Sequence, residues 1–218
     1  MISETNKTES SAMPGRPPFV PSRRLESHFL ALSRQLVSWG GSERRNTTIG
    51  IAGIRPECGN STVAYNLASS LAGSRSMRCC VLEANFGKPF VSKRIGSHLL
   101  GLSDAMAEAV EIQSCLQAAG PQDVSLVGPG TLDISAASRL VSQSFDNVLQ
   151  ELKAEFDWVL CDLPVASPLT TCFDLAKNLD GVVLVIRPQD NLSPAVREVV
   201  SQFRESGVEV IGLVQNDC

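Results

Sequence analysis

No apolar run in this 218-residue sequence approaches the ~18 residues that a membrane-spanning helix needs. Its first residues, Met1–Ser11, are polar and carry Glu4, Lys7 and Glu9, so the apolar stretch of a signal peptide is missing there. A cytoplasmic chain is the expectation. Zinc-like cysteine pairs are also missing. The seven cysteines are odd in number, Cys79 and Cys80 are adjacent, and Cys161 lies in an apolar run. Adjacent strand residues point to opposite faces, so one metal does not readily take both. Reduced, mostly buried thiols are expected. Neither sign of charge dominates, since the net charge is -4. Internal repeats are absent.

That small net charge conceals an asymmetry. Residues 1–45 hold seven basic and four acidic side chains, giving +3 and leaving -7 for the rest. An acidic body argues against a nucleic-acid partner. The basic leader is either a solvated tail or a segment that touches acidic lipid or an acidic partner. With 43% hydrophobic and 19% charged residues, the chain has material for a sizeable core.

Pro14, Pro17, Pro18 and Pro21 stand among Ser, Thr and Asn, so residues 1–24 read as a disordered leader and 25–218 as one domain. Arg24–Trp39 places Leu25, Phe29, Leu32, Leu36 and Trp39 at helical spacing, ending at Gly40-Gly41. From Thr47 onward strands and helices alternate. Strands are expected at Thr47–Ile54, Arg78–Glu83, Val124–Val127, Trp158–Leu163, Gly181–Arg187 and Glu209–Gln215. Helices are expected at Ser61–Leu71, Leu102–Val110, Gln113–Ala119, Ser135–Phe156 (capped by Ser135), Thr170–Leu179 and Ser193–Ser206. Strands this apolar, separated by helices, imply an α/β fold: a three-layer, doubly wound, mostly parallel sheet covered on both faces. Ligands of such sheets sit beyond the carboxyl ends of the strands.

The first strand runs into Gly53-Ile54-Arg55-Pro56-Glu57-Cys58-Gly59-Asn60-Ser61-Thr62 and then a helix. A glycine-containing loop there wraps an anion in backbone N–H groups at a helix N-terminus. A lysine normally neutralises the phosphates, and the next hydroxyl holds Mg²⁺. Asn60 occupies the lysine slot and Ser61 keeps the hydroxyl. On its own, the run also reads as an ordinary helix cap.

The order of segments from Arg24 to Asn216 resembles the bacterial tyrosine kinases of capsule and exopolysaccharide synthesis, within the P-loop superfamily of partition and division-site ATPases. Pro56–Thr62 stands for that family's Pro-Gly-Glu-Gly-Lys-Ser-Thr, and Glu83–Pro89 for its Asp-x-Asp-x-x-x-Pro. Gly101–Asp104, Asp162–Val165, Asp180–Arg187 and Gly212–Asn216 match further family runs. The resemblance implies ATP or ADP with Mg²⁺. It implies Gly59, Asn60, Ser61, Thr62, Arg187 and Asn216 as nucleotide contacts, and Ser61, Glu83 and Asp162 around the metal. Glu83 and Asp162 are the implied catalytic carboxylates. As a partner it implies a membrane-embedded chain-length or export protein, with assembly of like subunits.

The departures point the other way. Asn60 removes a positive charge, Glu57 adds a negative one in a glycine slot, and Asn85 has lost the second aspartate's charge. Phe29 and Leu32 replace two arginines of the family's subunit-ring motif. The family's kinases end in a tyrosine cluster, whereas Tyr65 is the only tyrosine here. The expectation is a degenerate relative with lost or weak phosphoryl transfer, acting as a regulatory or scaffold subunit beneath the membrane. The alternatives are a weak ATPase or tyrosine kinase relying on Arg55 or Lys88, and a partition-type nucleotide switch.

Overall fold

The computed structural model describes residues 23–40, 46–75, 77–88, 90, 100–119, 124–191 and 193–217. The proline-rich leader lies outside them, except that Arg23 and Arg24 already open helix α1, Arg23–Gly40. Strand β1, Thr47–Gly53, is buried along its whole length, as are β2 (Cys79–Glu83), β5 (Trp158–Asp162) and β6 (Gly181–Ile186). Continuous apolar strands of this kind need cover on both faces. With β3 (Gln117–Ala118), β4 (Val124–Val127) and β7 (Val210–Gln215) they form a seven-stranded sheet in the order β3-β4-β2-β5-β1-β6-β7. Every pairing is parallel except β3 with β4. The expected three-layer, mostly parallel architecture is present.

Alternation along the strands sorts the core into two layers. Ile49, Ile51, Cys79, Val81 and Leu160 join α2 (Asn60–Arg75) on one face. Ala52, Cys80, Leu82, Val159 and Cys161 face the other side, with Phe145 and Leu149 of α4 (Ile134–Glu155) and Phe203 of α6 (Pro194–Glu205). Burying a side chain such as Phe145 or Phe203 contributes roughly 1.5–3 kcal/mol. The stripe of α1 packs on its own domain: Leu36 is buried, and Phe29, Leu32, Val37 and Trp39 lie against the α2 layer. Trp39 Nε1 also donates to Glu209 Oε1 at 2.9 Å, tying α1 to the approach of β7.

Several expected elements differ. The helix expected at Gln113–Ala119 is a single 3-10 turn, Ile112–Cys115, followed by β3. Its backbone groups are drawn into the antiparallel ladder with β4, and Ala119 N donates to Val124 O at 2.8 Å. Helix α3 covers only Leu102–Met106, because Glu108 turns into the left-handed region at φ 56°. Helix α4 is capped by Asp133, whose carboxylate accepts from Ala136 N, and not by Ser135. Helix α5 is confined to Cys172–Ala176. The six described cysteines are free and buried, and burial pushes the thiols of Cys79 and Cys172 up to about 12. Among the described residues no helix is long and apolar enough to cross a membrane.

Candidate phosphate-loop site

Strand β1 ends at Gly53, and α2 begins seven residues later at Asn60. Between them the chain makes a tight turn with two residues in the left-handed region, Glu57 at φ 62° and Gly59 at φ 87°. Glycine takes that conformation without penalty, whereas a residue with a Cβ loses roughly 1–2 kcal/mol there. Gly59 is also needed for space, since a Cβ on it would lie 2.2 Å from Asn216 Nδ2. The slot that the sequence pattern assigns to a second glycine is thus occupied by a strained Glu57.

Asn60 is buried, and its amide nitrogen donates to Asp162 Oδ1 at 2.7 Å and to Leu163 O at 3.0 Å. Ser61 Oγ donates to the other carboxylate oxygen of Asp162 at 2.5 Å. Asp162 closes β5, directly opposite Glu83 at the end of β2. It is 1% exposed, and burial raises its pKa from 3.8 to about 7. The Ser61 and Asn60 hydrogen bonds pull it down, and the nearby Glu83 pushes it up. Glu83 is fully buried and accepts from Phe90 N at 2.8 Å. Thr62 follows on the first turn of α2, half-buried, its carbonyl accepting from Asn66 Nδ2.

The two remaining candidates reach the loop from the ends of β6 and β7. Arg187, just past β6, donates from Nη2 to Glu57 O at 2.8 Å, while its Nε is buried with no acceptor among the described residues. Asn216, just past β7, donates from Nδ2 to Cys58 O at 2.9 Å. Both therefore touch loop carbonyls. Arg55 forms an ion pair with Asp190 at 2.5 Å, the carboxylate side chain being 2% exposed and the arginine 46%. Lys88 is exposed in the loop after β2. Asp190 has no place in the sequence reading, although it anchors Arg55 and accepts from Arg187 N. Its only cue is its position three residues past Arg187 and two past Pro188.

The structure therefore gathers Gly59, Asn60, Ser61, Asp162, Arg187 and Asn216 around one loop, with Glu83 on the neighbouring strand end. A hydroxyl beside buried carboxylates is a donor set suited to Mg²⁺, which prefers hard oxygen ligands. The loop turn and the start of α2 suit an anion. The side chain in the charge-neutralising slot, Asn60, is neutral. Among the described residues no group of three or more His, Cys, Asp or Glu side chains forms a metal cage.

No protein-family profile matches the chain. It is 23% identical to the tyrosine-protein kinase wzc of Salmonella typhimurium over 198 residues, 90% of this chain and 26% of that protein. It is 22% identical to the tyrosine-protein kinase CpsD of Streptococcus agalactiae over 198 residues, 89% of this chain and 84% of that protein. The chain thus spans about a quarter of the length of the first relative and most of the second. Its fold matches the VpsO kinase domain with a TM-score of 0.78 at 21% identity, covering 90% of this chain and 97% of that one. It also matches the septum site-determining protein MinD of Pyrococcus horikoshii, solved with Mg-ADP, with a TM-score of 0.67 at 17% identity over 78% of this chain and 70% of that one. The homologues are the bacterial tyrosine kinases to which the order of motifs points, and the fold is the P-loop fold of their kinase domains and of MinD.

Proposed function

We propose that this chain is a P-loop domain of the capsule and exopolysaccharide tyrosine-kinase type in which phosphoryl transfer is lost or nearly so. It would serve as a regulatory or scaffold subunit beside a membrane-embedded chain-length or export protein, at the inner face of the cytoplasmic membrane. The observation that carries this reading is Asn60. It occupies the lysine slot and spends its amide on Asp162 Oδ1 and Leu163 O.

An ammonium on a γ-phosphate makes a charge-assisted hydrogen bond, roughly twice as strong as a neutral one. Much of that strength is felt where charge shifts in the transition state. Losing it costs on the order of a few kcal/mol, which is a hundredfold or more in rate. Glu57 works in the same direction, placing a carboxylate on the loop itself. Asp162, with a pKa near 7, must also release a proton before it can serve fully as a metal ligand.

The second reading, a weak ATPase or kinase, needs another cation to stand in. Arg55 is committed to Asp190 within its own chain, which counts against it. The same ion pair counts against a partition-type switch in which Arg55 reaches across a dimer. Lys88 and the spare Nε of Arg187 remain as candidates for the weak enzyme. Steady-state ATP turnover decides between the readings. The wild type is expected to show none above background, with Asn60→Lys gaining some. Ready turnover by the wild type, abolished by Lys88→Ala, would establish the second reading instead.

A further inference from the structure

In nucleotide-driven switches, segments beside the phosphate site are ordered by contacts with the γ-phosphate and its Mg²⁺. In this chain the phosphate loop and the segment after β5 are joined by the protein's own groups. Asn60 bridges from the start of α2 to both Asp162 and Leu163 O. Ala166 N donates to Gly53 O at 2.9 Å, linking the segment after β5 back to the end of β1. Ser61 holds the second oxygen of Asp162. On the other side of the loop, Asn216 and Arg187 cap the carbonyls of Cys58 and Glu57. Beyond Ala166 the chain fastens itself. Thr170 Oγ1 donates to Val165 O and Ser167 O, and this turn carries Leu169 outward at 95% exposure.

We infer that Asn60 is a built-in latch: it ties the phosphate loop and residues 162–166 into one ordered unit through the protein's own groups. Asn60 is thus a positioning residue. A neutral amide suits this role because it satisfies a carboxylate and a carbonyl at once. A lysine in the slot would carry its charge into the same buried space. The inference concerns order in the nucleotide-free chain, so it stands or falls separately from the proposed loss of catalysis.

The test is backbone amide hydrogen exchange on the full chain without nucleotide. In the wild type, the amides of Val63, Leu163 and Ala166 are expected to exchange as slowly as those of β1. In Asn60→Ala, exchange at Leu163 and Ala166 is expected to accelerate about tenfold to a hundredfold, as befits losing two buried hydrogen bonds. The control Ser201→Ala, which removes an exposed hydroxyl bond on α6, should leave them unchanged. Free-loop exchange at these amides in the wild type would overturn the inference even if Asn60→Ala fails to fold. Acceleration confined to residues 57–62 in Asn60→Ala would overturn it too.

Discussion

Asn60, at the start of α2, donates its side-chain amide to Asp162, at the end of β5, across 2.7 Å. The contact joins a neutral amide to the buried carboxyl group proposed as a metal ligand. It is buried, so its removal leaves an acceptor on Asp162 and another on Leu163 without their donor. Asn60→Ala is expected to lower unfolding stability by about 2 kcal/mol, measured by urea denaturation. A midpoint unchanged from the wild type would show that the amide is incidental.

The raised pKa of Asp162 gives stability a pH signature. Folding moves this group from 3.8 to about 7, so the native state holds a proton that the unfolded chain releases. Between about pH 4 and pH 7 the native state binds more protons, and stability falls as pH rises through that window. Above it the penalty is complete and the dependence ends. Asp162→Asn cannot titrate, so its stability should vary less with pH between 4 and 7 than that of the wild type. Parallel pH curves for the two proteins would contradict the assignment.

Glu57 is strained where glycine is at ease. Glu57→Gly relieves a left-handed residue at φ 62°, at the cost of a more flexible unfolded chain. A net stabilisation of about 0.5–1 kcal/mol is expected, read as a higher Tm. Gly59→Ala should do the reverse, because its Cβ meets Asn216 Nδ2 at 2.2 Å. Adding Asn216→Ala should return the steric part of that loss but not the part due to φ 87°. Additive losses in the double variant would show that the two side chains do not meet.

Tyr65 is 1% exposed and its hydroxyl donates to Ala119 O. Burial raises its pKa. A kinase acting on the native chain should therefore leave it unmodified. Incubation with an active tyrosine kinase and labelled ATP, followed by mass spectrometry, is expected to show no phosphate on Tyr65. Stoichiometric labelling without unfolding would mean that α2 opens readily.

Much of this architecture was legible from the residues, and the failures have physical causes. Buried β-branched strands such as Thr47–Gly53 and Gly181–Ile186 announce themselves because nothing else tolerates so little polarity. Residues 113–119 did not, since their short apolar spacing suits a helix turn as well as an edge strand, and only β4 decides between them. The cap of α4 went to Asp133 over Ser135 because both are good caps two residues apart. At the site, residue types and order named Asn60, Ser61, Glu83 and Asp162 as candidates, and the structure brings them together. Types and order could not say that Asn60 turns onto Asp162, or that Asp190 holds Arg55, because both contacts join residues more than a hundred positions apart.

On the proposed reading, the neutral Asn60 in place of a lysine is what most weakens the phosphate loop. Titration calorimetry with a nonhydrolysable ATP analogue and Mg²⁺, run on the wild type and on Asn60→Lys, tests it most directly. Restoring the ammonium should tighten binding by about tenfold or more. Wild-type affinity equal to or greater than that of Asn60→Lys would contradict the account.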